Sequence, residues 1–470
     1  MYTSNRQFKL SLCPLILVVG VFFVGLIVLF HAFPPQPNNA EKEKLLNLMK
    51  ELEKEIVTIE VEGLKREMQA IKVKELERKM KTIEVKQVKK EKETIGVNKL
   101  ETMNNKIEVK ELTNEEKTIE IKGNETEKAN NIIPVLVITC NRAEAVKIQL
   151  QTLIKYRPSK DLHPIIVSHN CGDKSVEDVV NSFGNDVIHF KHDPIPRKLK
   201  YKYDVYYKIS QHYKEALSYV FDALKYKSVI ITEDDLNIAT DFFSYFSSTL
   251  SLLEADPTLW CVSAWNDNGK RGLIDENAVS TLYRTDFLPG LGWMFTSKIW
   301  NEIGPNWPEG FWDDWMRHRD RRKGRQCIRP EISRTSMTSH GRKGASAGQF
   351  FEEHLTHILL NEKPVNFSKL DMNFLLPEIY QQTMLKNLKK SVKTDMQQLN
   401  YHIATETKSV KIIYDSMSDF VEKANKLKLM SDEKDGVPRT AYNGIVTCFI
   451  KTTRIYLVPK DTKLANYNIN

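Results

Sequence analysis

Residues 229–239 read VIITEDDLNIA, an apolar run that delivers three carboxylates in succession, Glu233, Asp234 and Asp235. Adjacent acids repel one another, so a buried strand ending this way needs partners for the charge. Hard divalent cations take oxygen ligands and commonly bridge one or two carboxylates to phosphate oxygens, which would make this strand end a metal–diphosphate site. The competing reading is an acidic cap, with an Asp accepting backbone N–H bonds where a strand passes into a helix.

Outward from this stretch, apolar strands alternate with helical spacing. IIPVLVITC (132–140), HPIIVSHN (163–170), VIHFKH (187–192) and SVIITEDD (228–235) read as strands. RAEAVKIQLQTLIKY (142–156), KSVEDVVNSF (174–183) and YYKISQHYKEALSYVFDALKY (206–226) read as helices. That alternation predicts βαβ units and a mostly parallel sheet. Ligands in such sheets bind beyond the carboxyl ends of the strands. The acids, the polar Asn141-Arg142 and HNCGD (169–173) all fall there. Neither GxGxxG nor GxxxxGK[ST] occurs, which disfavours a dinucleotide fold and a P-loop ATPase.

The chain of 470 residues exceeds one compact domain, and its formal charge of +8 invites a nucleic-acid reading. Much of the Lys and Glu is intermixed in one low-complexity stretch and forms no basic face, so nucleic acid is not an expected partner. Arg6 and Lys9 precede an apolar run over residues 10–30, long enough at about 1.5 Å per residue to cross a core of roughly 30 Å. This predicts a cytosolic tail (1–9), a type II signal-anchor (10–33) and a lumenal remainder, against a cleaved signal peptide, whose apolar region is usually about 7–15 residues. Residues 34–131 form a charged stem in which Ile59-x-Val61 recurs every twelve residues through Ile119-x-Ile121. Twelve residues are about 3.3 helical turns, which breaks a heptad seam. An extended, solvated stem is expected, with self-association through the repeated stripe as the alternative. Sequons at Asn124 and Asn366 are usable only in a lumenal protein. None of the six cysteines has zinc spacing, and Cys448 has no evident partner.

Downstream lie WCVSAWNDNG (260–269), LYRTDFLPGLGWMF (282–295), WPEGFWDDWMR (307–317) and CIRPEISRT (327–335). Trp and Gly among acids and amides suit a sugar site, although FWDDWMR also reads as a helix start with core tryptophans. With YYKISQHYKEAL, VIITEDDL and GRKGASAGQFF, these runs closely resemble the N-acetylglucosaminyltransferase I family from about residue 132 to at least 370. The stem repeat is not part of the family pattern. The resemblance implies a Golgi membrane enzyme that transfers GlcNAc from UDP-GlcNAc, with inversion, to the 2-hydroxyl of the α1,3-linked mannose of oligomannose N-glycans on glycoproteins, starting hybrid and complex glycan synthesis. Two alternatives are a related transferase acting on O-linked mannose and a non-catalytic lumenal glycan-binding protein.

The family fold is GT-A, a Rossmann-like nucleotide-sugar domain, here 132–343, followed by a lid or linker (344–354) and a smaller C-terminal domain (355–470). By resemblance Asp235 is the Mn²⁺ ligand, while Glu233 and Asp234 reach donor hydroxyls. Asp313 is the general base, and Asp314 is a rival that the residues alone do not separate. A carboxylate beside Trp312 is partly desolvated, which favours proton uptake. Arg142, His212 and the residue before the second-strand Cys-Gly serve the uridine end. That last position is Asp in the family and Asn170 here, so donor binding keeps an acceptor but loses a charge. Ser346 belongs to a loop over the diphosphate, and the implied disulfides are Cys140–Cys171 and Cys261–Cys327.

Overall fold

The computed structural model describes residues 132–193, 204–344 and 350–462. The tail, anchor, repeated stem, Asn124 and Ser346 lie outside the described residues. Among those described, no helix is long and apolar enough to cross a membrane.

The chain begins β1 (Val135–Thr139), α1 (Ala143–Tyr156), β2 (Ile165–His169), α2 (Lys174–Ser182), β3 (Val187–Lys191), α3 (Asp204–Ser218) and β4 (Ser228–Glu233). β1 and β2 are buried at every position, as strands covered on both faces must be. Asp173 caps α2, accepting from the amides of Ser175 and Val176. The long helical stretch is α3 followed by one π turn at Tyr219–Ala223. The strand expected over 228–235 stops at Glu233. Asp234 and Asp235 form a turn, and β5 (Leu236–Ile238) leaves for another sheet.

Next come α4 (Phe242–Ala255), β6 (Leu259–Ser263), β7 (Leu282–Thr285), β8 (Trp293–Thr296), α5 (Ser297–Ile303), α6 (Trp312–Arg317), α7 (Arg319–Arg322), β9 (Gln326–Pro330) and β10 (Thr335–Met337). The large sheet runs β3-β2-β1-β4-β8-β6-β9-β7. Its first four strands are parallel, whereas β8 is antiparallel to both neighbours. β2 and β3 extend the sheet to one side of β1, and β4 lies on the other. The carboxyl ends of β1 and β4 therefore flank a topological switch point, where the two connections diverge and leave a crevice. β5 pairs with β10 just beyond it.

The remainder contains α8 (Pro377–Lys390), β11 (Val392–Thr394), α9 (Leu399–Ala404), β12 (Ser409–Tyr414), α10 (Met417–Lys426), a hairpin β13 (Glu433–Lys434) and β14 (Val437–Pro438), β15 (Val446–Ile450) and β16 (Thr453–Pro459). β11-β12-β16-β15 form a four-stranded sheet. Val410, Ile412, Phe420, Ile455 and Leu457 share a core there, whereas Phe367, Leu375, Met384 and Leu388 pack into the core that contains Val135 and Val137. Residues 361–365 are bound to the first sheet layer through Asp241, which pairs with Arg334 and accepts from Asn361 Nδ2 at 3.0 Å and the Val365 amide at 3.2 Å.

Candidate active site

The ends of β1 and β4 are joined twice. The Asp234 amide donates to the Ile138 carbonyl at 3.2 Å, and Thr139 Oγ1 donates to Asp234 Oδ2 at 2.6 Å. The Cys140–Cys171 disulfide, with Cα atoms 5.0 Å apart, ties β1 to β2, and Cys261–Cys327 ties β6 to β9. Both expected pairings are present. Cys448 is a free thiol whose burial pushes its pKa up to about 12, which makes it unreactive.

Arg142, just before α1, sends its guanidinium across the crevice. One amino group donates to Asp235 Oδ2 at 2.7 Å and the other contacts Asp234 Oδ1. In this structure, then, two of the three acids meet an arginine, and the third takes a different partner. Glu233 Oε1 accepts from the Tyr213 hydroxyl at 2.7 Å. Burial, reinforced by the charge of Asp235, raises the Glu233 carboxyl to about 7. Burial also lifts Asp234 to about 6 against the opposing pull of Arg142. Asp235 Oδ1 is buried with no hydrogen-bond partner among the described residues. The loop after β10 closes on the same residue, because the Thr338 amide donates to the Asp235 carbonyl at 2.8 Å.

Tyr213 links the acids to the second carboxylate cluster. Its ring stacks on Trp312 with centroids 4.3 Å apart, and its hydroxyl pKa is raised well above the ordinary value, first by burial, then by Glu233 and also by Asp313. Asp313 follows Phe311, which holds a left-handed φ of +51°. A Cβ on the neighbouring Gly310 would come within 2.9 Å of the Tyr207 ring, so the approach to the helix requires glycine. Asp313 Oδ2 pairs with Arg317 at 2.7 Å, one helical turn on, and its side chain keeps 39% of its surface exposed. Asp314 shares that arginine at 3.2 Å and also accepts from Lys434 Nζ at 2.8 Å.

The uridine-end residues gather at the end of β2. His212 is buried, with Nε2 3.0 Å from Ser168 Oγ, and burial lowers its pKa to about 3. Asn170 is buried beside the disulfide. The structure thus groups Arg142 with Asp234 and Asp235, not with His212. Three of the downstream tryptophans depart from the sugar-site expectation. Trp260, Trp265 and Trp293 are fully buried, so their faces pack the core and none is open to a sugar ring. RPEISRT is likewise spent internally, with Glu331 bound to Arg454 at 2.9 Å and Arg334 bound to Asp241. Thr139, Tyr213, Ser168, Arg317 and Lys434 were not singled out from sequence. Only Arg317 carried a local signal, its i+4 spacing from Asp313.

The family profile of GNT-I matches residues 46–470. The match starts well before the expected residue 132 and takes in the repeated stem, which corrects the expectation that the repeat lies outside the family pattern. The alpha-1,3-mannosyl-glycoprotein 2-beta-N-acetylglucosaminyltransferase of Arabidopsis thaliana is 35% identical over 336 residues, covering 70% of this chain and 74% of that protein. Among solved structures, the mannosyltransferase PcManGT from Pyrobaculum calidifontis, in complex with GDP-Man and Mn²⁺, is 17% identical and overlaps 42% of this chain and 54% of its own, with a TM-score of 0.29. TarS 1–349 of S. aureus is 12% identical over 63% of this chain and 82% of its own, with a TM-score of 0.33. Superpositions this loose define no fold. The profile and the plant relative suffice: the molecule is a glycosyltransferase. It belongs to the GNT-I family.

Proposed function

We propose that this chain transfers GlcNAc, with inversion, from UDP-GlcNAc to the 2-hydroxyl of the α1,3-linked mannose of oligomannose N-glycans, on a GT-A scaffold. The name of the plant relative and the family match support this acceptor, and neither favours O-linked mannose or a non-catalytic role. The single observation that carries the chemistry is the pair of carboxylate clusters, one buried at the switch point with Glu233 bonded to the Tyr213 hydroxyl, and one half-exposed on α6, whose Trp312 stacks on the Tyr213 ring.

Asp235 suits a hard cation, because its buried Oδ1 has no partner among the described residues and is an oxygen donor. No cluster of three or more such ligands exists among the described residues, so Asp235 would hold Mn²⁺ with the remaining positions left to donor and water. When bound, the cation would neutralise the diphosphate as it leaves. Tyr213 holds one oxygen of Glu233, which keeps the other for a donor hydroxyl. Both oxygens of Asp234 are engaged, one by Thr139 and one by Arg142, so Asp234 reaches a donor hydroxyl only by sharing an oxygen with one of them. As the mannose O2 bonds to the anomeric carbon, the bond to the diphosphate breaks with its electron pair, and Asp313 takes the O2 proton. Asp313 is the better placed of the two α6 acids, since Arg317 engages only its Oδ2 while both oxygens of Asp314 are bonded. A type II anchor at residues 10–33 in the Golgi membrane completes the reading, and the sequon at exposed Asn366 agrees with a lumenal domain.

The deciding experiment is the mass of the product formed from UDP-GlcNAc and an oligomannose acceptor with Mn²⁺, repeated with EDTA. One added HexNAc, absent after chelation, supports the proposal; transfer that ignores chelation removes the metal role.

A further inference from the structure

We propose that Lys434, on the hairpin of the C-terminal part, is a positioning residue for glycosyl transfer: by occupying Asp314 it leaves Asp313 as the carboxylate that meets the acceptor hydroxyl. This rests on Asp313 being the general base. Asp313 and Asp314 are successive residues on α6, and both reach one guanidinium, that of Arg317. One cation shared between two carboxylates leaves one of them undercompensated, and either could swing toward the arginine. Lys434 arrives from 120 residues away and breaks this symmetry by taking Asp314 Oδ2.

The arm that carries Lys434 is anchored at Arg319 and at Asp267 and closed by its own turn. Asp435, at a turn φ of +51°, accepts from the Arg319 amide at 2.6 Å and from its guanidinium at 2.9 Å. Glu433 accepts from the Gly436 amide, which closes the turn. Behind it, Arg439 joins Asp432 and Asp267, each at 2.7 Å. The Lys434–Asp314 pair itself leaves 39% of each side chain exposed, and an ion pair that wet contributes little to stability. A fixed arm that ends in a weak pair beside the base fits placement of a reacting group, where small displacements cost large factors in rate.

The test uses the full chain with Lys434→Met, Lys434→Arg, Asp314→Asn and the Lys434→Met/Asp314→Asn double, plus Asp313→Asn in parallel. Readouts are kcat, the KM for UDP-GlcNAc and the melting temperature. Lys434→Met should lower kcat about tenfold with donor KM and melting temperature unchanged, and Lys434→Arg should recover most of the loss. The double variant should be no slower than Asp314→Asn alone, because the lysine acts through that carboxylate. Wild-type kcat in Lys434→Met, or losses that multiply in the double variant, would overturn the proposal. If Asp313→Asn keeps full activity, the base assignment falls and this proposal with it. An inactive Asp313→Asn beside an unimpaired Lys434→Met removes the positioning role alone.

Discussion

The acid triplet on β4 and the acid pair on α6 are both runs of adjacent carboxylates, yet the fold treats them oppositely. At the switch point Asp234 and Asp235 are almost completely buried, two acids share Arg142, and burial drives Glu233 and Asp234 upward in pKa. On α6 the acids stay half-exposed and are balanced by two cations, Arg317 and Lys434. Burial makes the first cluster a site that wants added positive charge. On α6 the bonding is uneven, and Asp313 keeps an oxygen that Arg317 does not engage. Under the proposed function, identical residue types take binding and base roles from their surroundings.

The comparison can be broken most directly at Asp313. Asp313→Asn keeps the shape but cannot take a proton, and kcat should fall by about 10²–10⁴. Near-normal turnover would move the base elsewhere. Asp235→Ala should come next, losing on the order of 10²-fold in kcat/KM together with the Mn²⁺ dependence, since a metal supplies several kcal/mol of charge stabilisation. A variant that still responds to Mn²⁺ would exclude Asp235 as the ligand.

Two stability measurements on chelated, donor-free protein sharpen the contrast between burial of an acid and burial of a base. Glu233 is raised from the ordinary carboxyl value of 4.5 to about 7, so the folded state holds a proton that the unfolded chain releases. Its contribution is full below about 4.5 and is lost as pH rises to about 7, and Glu233→Gln should flatten that slope by about 2–3 kcal/mol. His212 behaves in the opposite sense. Lowered to about 3, it stays neutral when folded, and stability falls as pH drops below about 6.5. His212→Asn should remove about 1.5 kcal/mol of the loss between roughly pH 6.5 and 5. Equal acid slopes in wild type and variant would show that His212 is not buried neutral.

The parallel half of the sheet was legible because fully buried strands read as apolar runs and the helices between them keep their period, as in α1 and α2. Beyond β4 the reading weakened. Antiparallel β8 and the short β5 and β10 carry no period long enough to register. Trp260, Trp265 and Trp293 misled for a physical reason: composition shows that an aromatic is present, but only packing shows whether its face is open or covered.

By itself the sequence determined the α/β alternation, the acids at a strand end, the absence of a glycine phosphate cradle and the motifs that assign the chain to its family. These depend on local period and residue chemistry. Only the tertiary structure decided that Arg142 crosses to Asp234 and Asp235, that Tyr213 bonds Glu233 while stacking on Trp312, and that Lys434 bonds Asp314. Those pairings span from 20 to 120 residues of chain. A charge at such a distance finds its partner only once the intervening elements have packed.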